Sequence, residues 1–417
     1  MFNAINRKIK RWIIRQQKRQ PIVLISDTTL RDGVQTPGVR VSLQGKRRIA
    51  EALARAGVHS IELGFPAASA RETADVQVLA GEIRGPILTA LSRTLPGDVE
   101  RASEALAPCP ILKRAITLFI GTSLIHRRDK LNLSESQVIR AAVRSVEQAS
   151  RSFQIISVGA EDASRTDPCF LHEFYREVIA AGATSIGFAD TVGILTPAQT
   201  ARSVRGILDQ VPNIDDALLG VHFHNDLGLA TANSLEAVAA GANIVQCTIN
   251  GIGERAGNAA LEEVVVALSL HAGEYGRTSA IDLSALTALS RLVARATGLS
   301  VPVNKPVVGR NLFRTEAGVH QDGLLKNPET YLPFPPELVG AEGVELVLGP
   351  RSGRSAVRQH LVATGLPAEN EDVERYLQTL KQGVETNDSA EFEELDDIPD
   401  GCGDARRARC DDAASAR

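Results

Sequence analysis

Short apolar runs alternate with helix-period segments from Pro21 to about residue 272, and this alternation constrains the fold more than any other feature. Eight runs have the length and β-branched content of strands: 22–26, 60–64, 87–90, 115–120, 154–158, 184–188, 218–223 and 243–249. Eight helix-period segments lie between and after them: 42–56, 70–83, 98–107, 134–150, 168–181, 197–210, 228–240 and 259–272. Eight strand–helix units in about 250 residues predict an α/β fold, a (β/α)8 TIM barrel. A doubly wound open sheet is the alternative, but no GxGxxG follows the first strand.

Charge is concentrated at the two ends of the chain. The 417 residues include 46 Lys and Arg against 50 Asp and Glu, which gives a net charge of −4. Residues 1–20 are rich in Lys and Arg and contain no acid, whereas 385–400 are rich in Asp and Glu and contain no base. We therefore predict a basic disordered leader over 1–20, the catalytic barrel over 21–275, a linker helix with a small α-rich lid subdomain over 276–384, and an acidic disordered tail over 385–417. A transit peptide or a membrane-surface helix is the alternative for the leader, because Trp12, Ile13 and Ile14 lie in its middle.

Composition excludes several classes of protein. Hydrophobic residues make up 43% of the chain, which is enough for a sizeable core and excludes global disorder. The near-neutral charge disfavours a nucleic-acid partner, and no stretch reaches the roughly 20 apolar residues of a membrane span. The 5 cysteines match neither a disulfide framework nor a zinc pattern, so we expect reduced thiols in a cytoplasmic protein.

Reactive side chains follow the predicted strands, which is where a TIM barrel places its active site. The sharpest signal is His222 and His224, because residues two apart on a strand face the same side and two imidazoles there can chelate a divalent ion. Asp32 follows strand one, close to strand seven in a closed barrel, and completes a set of two histidines and one carboxylate. We interpret the three residues as a metal site; a chance His-x-His pair is the alternative.

The other polar residues after the strands each allow two interpretations. Arg31 either stabilises a developing enolate or alkoxide, or pairs with Glu62 or Glu161 across the mouth. Glu62, Glu161 and Arg165 either contact substrate or form an ion-pair network. The glycine-rich loop 251–258 is either a tight turn at a helix start, or a source of an amide metal ligand and of backbone N–H groups for an anion.

Three long motifs occur in order along the barrel: DTTLRDG at 27–33, VHFHNDLGLATANSLEAVAAGA at 221–242 and TINGIGERAGNAALEEV at 248–264. Together they resemble the acyl-CoA-condensing TIM-barrel family, which contains 2-isopropylmalate, homocitrate and citramalate synthases. A fourth run, NKPVVGRNLFRTEAGVHQDGLLKNPETY at 304–331, is similar to the accessory subdomain of that family.

The resemblance implies a reaction and assigns roles to single residues. The enolate of acetyl-CoA, the co-substrate, would attack the ketone of a 2-oxo acid bound to Mg²⁺, Mn²⁺, Zn²⁺ or Co²⁺, and water would then cleave the thioester. The implied metal ligands are Asp32, His222, His224 and Asn258. The implied substrate-binding residues are Arg31, Gln35, Glu62, His126, Arg165 and Thr191. The implied catalytic residues are Arg31, Glu161, Glu254 and the acid–base pair His320 and Tyr331. A homodimer, in which the lid of one subunit covers the barrel of the other, is also implied.

Local motifs leave the choice of 2-oxo acid open. FPAAS at 65–69 and GRNLF at 309–313 are most similar to 2-isopropylmalate synthase, which acts on 2-oxoisovalerate. GAEDASR at 159–165, with Gly159 in place of a common serine, is more similar to a homocitrate synthase acting on 2-oxoglutarate. An alkylmalate or phosphonomethylmalate synthase of secondary metabolism, a retro-aldol acyl-CoA lyase and a non-catalytic relative are further alternatives. Because only about 30 residues follow the last predicted helix, we expect no leucine-sensing domain and no inhibition by leucine.

Overall fold

The computed structural model describes residues 11–385, and its central feature is a closed barrel of eight parallel strands. The strands follow one another around the barrel in chain order, and β1 pairs with β8 to close it. Their bounds are β1 Leu24–Asp27, β2 Ser60–Glu62, β3 Ile87–Arg93, β4 Arg114–Gly121, β5 Ile155–Glu161, β6 Ser185–Asp190, β7 Leu218–Phe223 and β8 Ile244–Cys247. The prediction of a TIM barrel is confirmed, and each predicted run overlaps its strand.

Helices surround the barrel and begin at residues that favour helix starts. They are α1 (helical residues 11–18), α2 Leu43–Arg55, α3 Ala70–Glu82, α4 Pro96–Ala105, α5 Glu135–Ala149, α6 Pro168–Ala181, α7 Pro197–Gln210, α8 Ala230–Ala239, α9 Leu261–Leu270, α10 Ala272–Tyr275 and α11 Leu286–Thr297. Ser134 and Thr196 start α5 and α7 with reciprocal capping boxes, which satisfy N–H groups that the helix itself leaves free. Among residues 11–385, no helix is long and apolar enough to cross a bilayer.

Successive residues of each barrel strand face alternately the lumen and the layer between the strands and the helices. In β5, Ile156 and Val158 are fully buried, whereas Ser157 and Gly159 are partly exposed. Successive residues of a strand face opposite sides, so the partly exposed set faces the lumen. The lumen is therefore accessible to solvent along β5.

Part of the basic leader is helical, contrary to the prediction of disorder over residues 1–20. Arg11 and Arg15 of α1 pair with Asp216 at 3.0 and 3.2 Å, and Lys18 donates to the carbonyl oxygen of Ile214 at 2.6 Å. The prediction was wrong for this stretch because it weighed the leader's composition alone, whereas the acidic turn before β7 supplies the opposite charges. Residues 1–10 and the acidic tail from 386 onward lie outside the described residues.

The chain divides into two compact units. Among the described residues, the first comprises 11–313 together with Phe334–Val344, and it contains the barrel and α11. The second comprises Arg314–Pro333 and 345–385. Its described elements are β9 Arg314–Thr315, β10 Glu345–Leu346, α12 Gly318–Lys326, α13 Arg354–Ala363 and α14 Asn370–Glu385. The division falls after residue 313 rather than at the expected 275, because α11 packs with the first unit.

Candidate active site

Two histidines and a carboxylate meet at the carboxyl end of the barrel strands. His222 lies near the end of β7, His224 follows that strand, and Asp32 lies in the loop after β1. Each offers a ligand-type atom, and these atoms all lie within 4.8 Å of one another. His222 Nε2 is 3.2 Å from His224 Nε2 and 3.8 Å from Asp32 Oδ2. The structure thus brings together the three residues that the His-x-His pattern and strand order singled out.

Hydrogen bonding and burial keep both imidazoles in forms that can bind a cation. His224 Nδ1 lies 3.2 Å from the carbonyl oxygen of Gly257; because a carbonyl only accepts, Nδ1 carries the proton and Nε2 keeps its lone pair. Burial lowers the pKa of His224 and lowers the pKa of His222 to about 3, so both rings are neutral at pH 7. His222 Nδ1 is buried and has no hydrogen-bond partner among the described residues.

Asn258 stands beside Asp32, in the loop between β8 and α9. Its Nδ2 donates to Asp32 Oδ1 at 2.8 Å, and its Oδ1 is buried without a partner among residues 11–385. A buried amide oxygen is costly unless a donor, a water or a cation meets it. Gly253 makes the close packing possible, because an added Cβ there would fall 2.1 Å from Asn258 Nδ2. Two neutral nitrogens, a carboxylate and an amide oxygen together form a donor set that fits a divalent metal.

Arg31 is held between two carboxylates. Its Nε donates to Glu62 Oε2 and its Nη1 donates to Asp32 Oδ2, both at 2.5 Å. Burial acts to raise the pKa of Asp32, but Arg31, the two histidines and the hydrogen bond from Asn258 together outweigh it, and the pKa of Asp32 lies well below its usual range. Burial likewise opposes the charge of Arg31, yet the carboxylates of Glu62 and Asp32 raise its pKa. Arg31 and Asp32 are therefore both charged at neutral pH, and the ion pair predicted between Arg31 and Glu62 is present.

Glu161 ends β5 with its carboxylate close to Lys130 and His126. Lys130 Nζ donates to the two carboxylate oxygens at 2.7 and 2.8 Å. His126 Nδ1 lies 3.4 Å from Glu161 Oε2 and has no hydrogen bond within the described part of the chain. Gly121, the last residue of β4, permits this arrangement, since an added Cβ would fall 2.7 Å from the Cβ of His126. The predicted residues Glu161 and His126 thus lie side by side at the barrel mouth.

Arg165 and Thr191 both contact Asp162. Arg165 Nε donates to Asp162 Oδ1 at 2.9 Å, and Thr191 Oγ1 accepts from the N–H of Asp162 at 2.8 Å. Arg255 donates to the carbonyl oxygen of Thr191 at 2.6 Å and to Asp226 Oδ1 at 2.8 Å. Arg255 and Asp226 therefore join the loops after β6, β7 and β8, a role that sequence reasoning missed. The available signal was their position within the motifs that follow β7 and β8.

A buried relay joins the loop after β1 to the loop after β8. Thr29 Oγ1 donates to Asp27 Oδ2 at 2.8 Å and accepts from the N–H of Ile249 at 2.9 Å. The N–H of Thr29 donates to Asp27 Oδ1 at 2.9 Å. Burial raises the pKa of Asp27 to about 7 despite these bonds. Asp27 was not assigned a role from sequence, although it opens the DTTLRDG motif at the end of the first strand.

The remaining predicted residues have fewer contacts with the cluster of Asp32, His222 and His224. Glu254 is partly exposed, and its N–H lies 3.5 Å from Asp32 Oδ1. Gln35 is exposed in the 3-10 turn Gly33–Gln35, where its backbone N–H donates to the carbonyl oxygen of Asp32 at 2.9 Å. His320 and Tyr331 belong to the second unit, where their rings stack with centroids 4.1 Å apart and both side chains are exposed.

Comparison with known sequences shows which protein families this chain matches. The HMGL-like family model matches residues 22–293, and the model described as homocitrate synthase post-HMGL domain-like matches residues 307–388. The 2-isopropylmalate synthase of Methylacidiphilum infernorum is 45% identical over 361 residues, which cover 86% of this chain and 71% of that protein. The 2-isopropylmalate synthase of Pyrococcus furiosus is 46% identical over 360 residues, covering 86% of this chain and 72% of that protein.

Solved structures share the fold at lower identity. The hydroxymethylglutaryl-CoA lyase of Pseudomonas aeruginosa aligns with a TM-score of 0.58 at 22% identity, over 68% of this chain and 96% of that chain. The carboxyl transferase domain of Rhizobium etli pyruvate carboxylase aligns with a TM-score of 0.54 at 19% identity, over 69% of this chain and 50% of that chain. At these identities the similarity establishes the barrel fold alone.

Proposed function

We propose that this chain, which belongs to the HMGL-like family together with the 2-isopropylmalate synthases, condenses acetyl-CoA with a 2-oxo acid and hydrolyses the CoA thioester to release a 2-alkylmalate. The observation that carries the proposal is the cluster of Asp32, His222 and His224 at the barrel mouth, with Arg31 bonded to it. The relatives are named for 2-isopropylmalate, so 2-oxoisovalerate is the first 2-oxo acid to test. The enzyme is thus proposed to be an acetyl-CoA-dependent acyltransferase.

Asp32, His222 and His224 would hold a divalent cation, with Oδ1 of Asn258 as a further ligand. The fit is supported by the neutral imidazoles, the charged carboxylate and the unpartnered amide oxygen. When bound, such an ion supplies Lewis-acid polarisation of the ketone of the 2-oxo acid. These ligands suit Mg²⁺, Mn²⁺, Zn²⁺ or Co²⁺, and metal supply in the cell selects among them.

Arg31 would stabilise the negative charge that develops in the condensation. Its bonds to Glu62 and Asp32 use Nε and Nη1, which fixes the plane of the guanidinium and leaves Nη2 to donate to an enolate or alkoxide oxygen. Glu62 acts as the positioning residue in this arrangement. We further propose that His126, Glu161 and Thr191 orient the 2-oxo acid, and that Arg165 contributes by holding Asp162.

His320 and Tyr331 are proposed as the acid–base pair, with Glu254 in support. The proposal is supported by the stacking of the two exposed rings and by the family model that spans both residues. It includes a homodimer in which the second unit of one subunit serves the barrel of its partner. Sedimentation at about twice the 44.6 kDa of one chain is the expected result, and a monomer with full activity would contradict this part.

The reaction is tested by following free CoA thiol with acetyl-CoA, Mg²⁺ or Mn²⁺ and 2-oxoisovalerate. We expect thiol release that depends on both the oxo acid and the metal. His222→Ala should abolish it and weaken Mn²⁺ binding measured by calorimetry, because one ligand is lost. His271→Ala, at an exposed histidine outside the site, is the matched control. No release with any 2-oxo acid would refute the proposal, and release with 2-oxoglutarate alone would reassign the chain as a homocitrate synthase.

A further inference from the structure

The helix α1 carries two large apolar side chains that face solvent. Its residue Ile14 is buried at 8% exposure, on the side of the helix from which Arg15 and Lys18 bond to the turn before β7. Trp12 and Ile13 point elsewhere, because successive residues of a helix are rotated by about 100°. They are 63% and 54% exposed. The barrel therefore covers one apolar side of α1 and leaves the pair of Trp12 and Ile13 in water.

The sequence before α1 continues the pattern of this apolar pair. Phe2, Ile5 and Ile9 precede Trp12 at steps of three, four and three residues. Apolar residues at this spacing are typical of one side of an amphipathic helix. Residues 1–10 lie outside the described part of the chain, so for them this is a prediction from spacing.

Basic residues surround the apolar pair and outnumber their acidic partners. Residues 1–20 contain seven Lys and Arg and no Asp or Glu. Within the described part of the chain, the acids that pair with this segment are Asp215 and Asp216. Despite those pairs, the side chains of Arg11 and Arg15 remain 51% and 57% exposed. The segment therefore keeps a net positive charge beside its exposed apolar side chains.

An anionic lipid surface has the chemistry that matches this combination. Its head groups attract Lys and Arg, its interior accepts apolar side chains, and tryptophan favours the boundary between the two. A second copy of the chain would instead bring two basic, acid-free segments together, and like charges repel. The phosphate backbone of a nucleic acid would attract the basic residues but offers no apolar layer to Ile13. We propose that α1 binds the surface of membranes that contain anionic lipids, with Trp12 and Ile13 inserted among the head groups.

The position of α1 on the barrel is compatible with binding to a membrane. The helix contacts Ile214 and Asp216, which precede β7, so it lies at the amino end of the barrel strands. Asp32 and His222 lie at the opposite, carboxyl end. A barrel bound through α1 would therefore keep its mouth away from the lipid and open to small molecules. The proposal does not depend on the condensing activity.

Trp12 is the one tryptophan of the chain, so its fluorescence reports directly on the apolar pair. The full chain is mixed with vesicles of phosphatidylcholine alone, or of phosphatidylcholine with phosphatidylglycerol. Tryptophan emission and cosedimentation with the vesicles are both measured. With the anionic vesicles, we expect emission at shorter wavelength and cosedimentation. With phosphatidylcholine alone, we expect binding at least about tenfold weaker, since each basic residue near an anionic surface strengthens binding about fivefold.

Two variants separate the apolar contribution from the charged one. Ile13→Ser keeps the tryptophan as reporter and should weaken binding to the anionic vesicles about tenfold or more, because an inserted isoleucine is lost. Arg19→Gln, at an exposed basic residue of the same segment, should weaken binding about fivefold and reduce its dependence on salt. Val78→Ser removes an exposed apolar side chain from α3 and is the matched control, which should bind as the wild type does.

The outcomes distinguish a lipid surface from other partners of α1. Absence of both the emission shift and cosedimentation with the anionic vesicles would refute the proposal. Equal binding to neutral and anionic vesicles would overturn the role of the basic residues, and unchanged binding of Ile13→Ser would overturn the insertion of the apolar pair. An emission shift that appears without lipid as the protein concentration rises would assign the apolar pair to a second copy of the chain and likewise refute membrane binding.

Discussion

Asp27 makes the stability of this protein depend on pH in a way that one substitution should remove. Its side chain is fully buried, and its pKa is raised to about 7 from the 3.8 of a free aspartate. The folded protein therefore keeps the proton up to about pH 7, whereas the unfolded chain releases it near pH 3.8. Stability from this group is lost as the pH rises through that window and is constant above it.

The size of the effect follows from the same two values. At 1.36 kcal/mol for each pH unit, the interval between 3.8 and about 7 gives an upper limit of about 4 kcal/mol. Asp27→Asn removes the ionisation and keeps an oxygen that can accept from the N–H of Thr29. Between pH 5 and 8, we expect the unfolding free energy of the wild type to fall relative to that of the variant, by up to about 3 kcal/mol.

The measurement is urea unfolding at pH 5, 6, 7 and 8 for the wild type, Asp27→Asn and Asp209→Asn. Asp209 is exposed near the end of α7, so its amide variant controls for the loss of one surface charge. The difference between wild type and Asp27→Asn isolates this carboxyl, because all other titrating groups are common to both. A difference that stays constant from pH 5 to 8 would refute the buried ionisation.

Three further predictions concern single residues. Arg31→Lys should lower kcat about 100-fold or more with little change in KM, because a single ammonium cannot replace the several N–H donors of the guanidinium that Glu62 holds in place. An unchanged kcat in the thiol assay would contradict this prediction. Gly253→Ala should weaken Mn²⁺ binding in calorimetry by at least about tenfold, since the new Cβ would displace Asn258, and unaltered affinity would exclude Asn258 as a ligand. Ser134→Ala should cost about 1 kcal/mol of unfolding free energy in urea by removing the capping box of α5, with activity unaffected.

The sequence was sufficient for the features that depend on periodicity and on chain order. His222 and His224 were found because a strand has a period of two, and Asp32 because β1 neighbours β8 in a closed barrel. The pairing of Arg255 with Asp226 depends instead on a backbone φ of 54° at Arg255, which a non-glycine residue adopts only in a particular loop conformation. No local pattern encodes that conformation, so the contact could not be read from residue types.

The misprediction of the leader has a different cause. Composition describes a segment by itself, and a basic, acid-free segment is correctly described as unable to fold alone. Lys18 and Arg15 are nevertheless ordered by Ile214 and Asp216, which lie about 200 residues away in sequence. Partners at that separation become visible only once the order of the strands has brought the turn before β7 next to the start of the chain.

The proposed metal ligands and the lumen-facing glycines Gly159 and Gly187 belong to different strands of this barrel. The proposed ligands lie after β1, β7 and β8, and the relay through Thr29 ties the first of these loops to the last. Gly159 of β5 and its register partner Gly187 of β6 lie outside that network. Substitutions at these glycines can therefore change the volume of the lumen while the ligand atoms keep their hydrogen bonds. It follows that Gly159 variants should change the order of preferred 2-oxo acids while their Mn²⁺ affinity stays that of the wild type, and a parallel loss of both would show that the two functions are not separable.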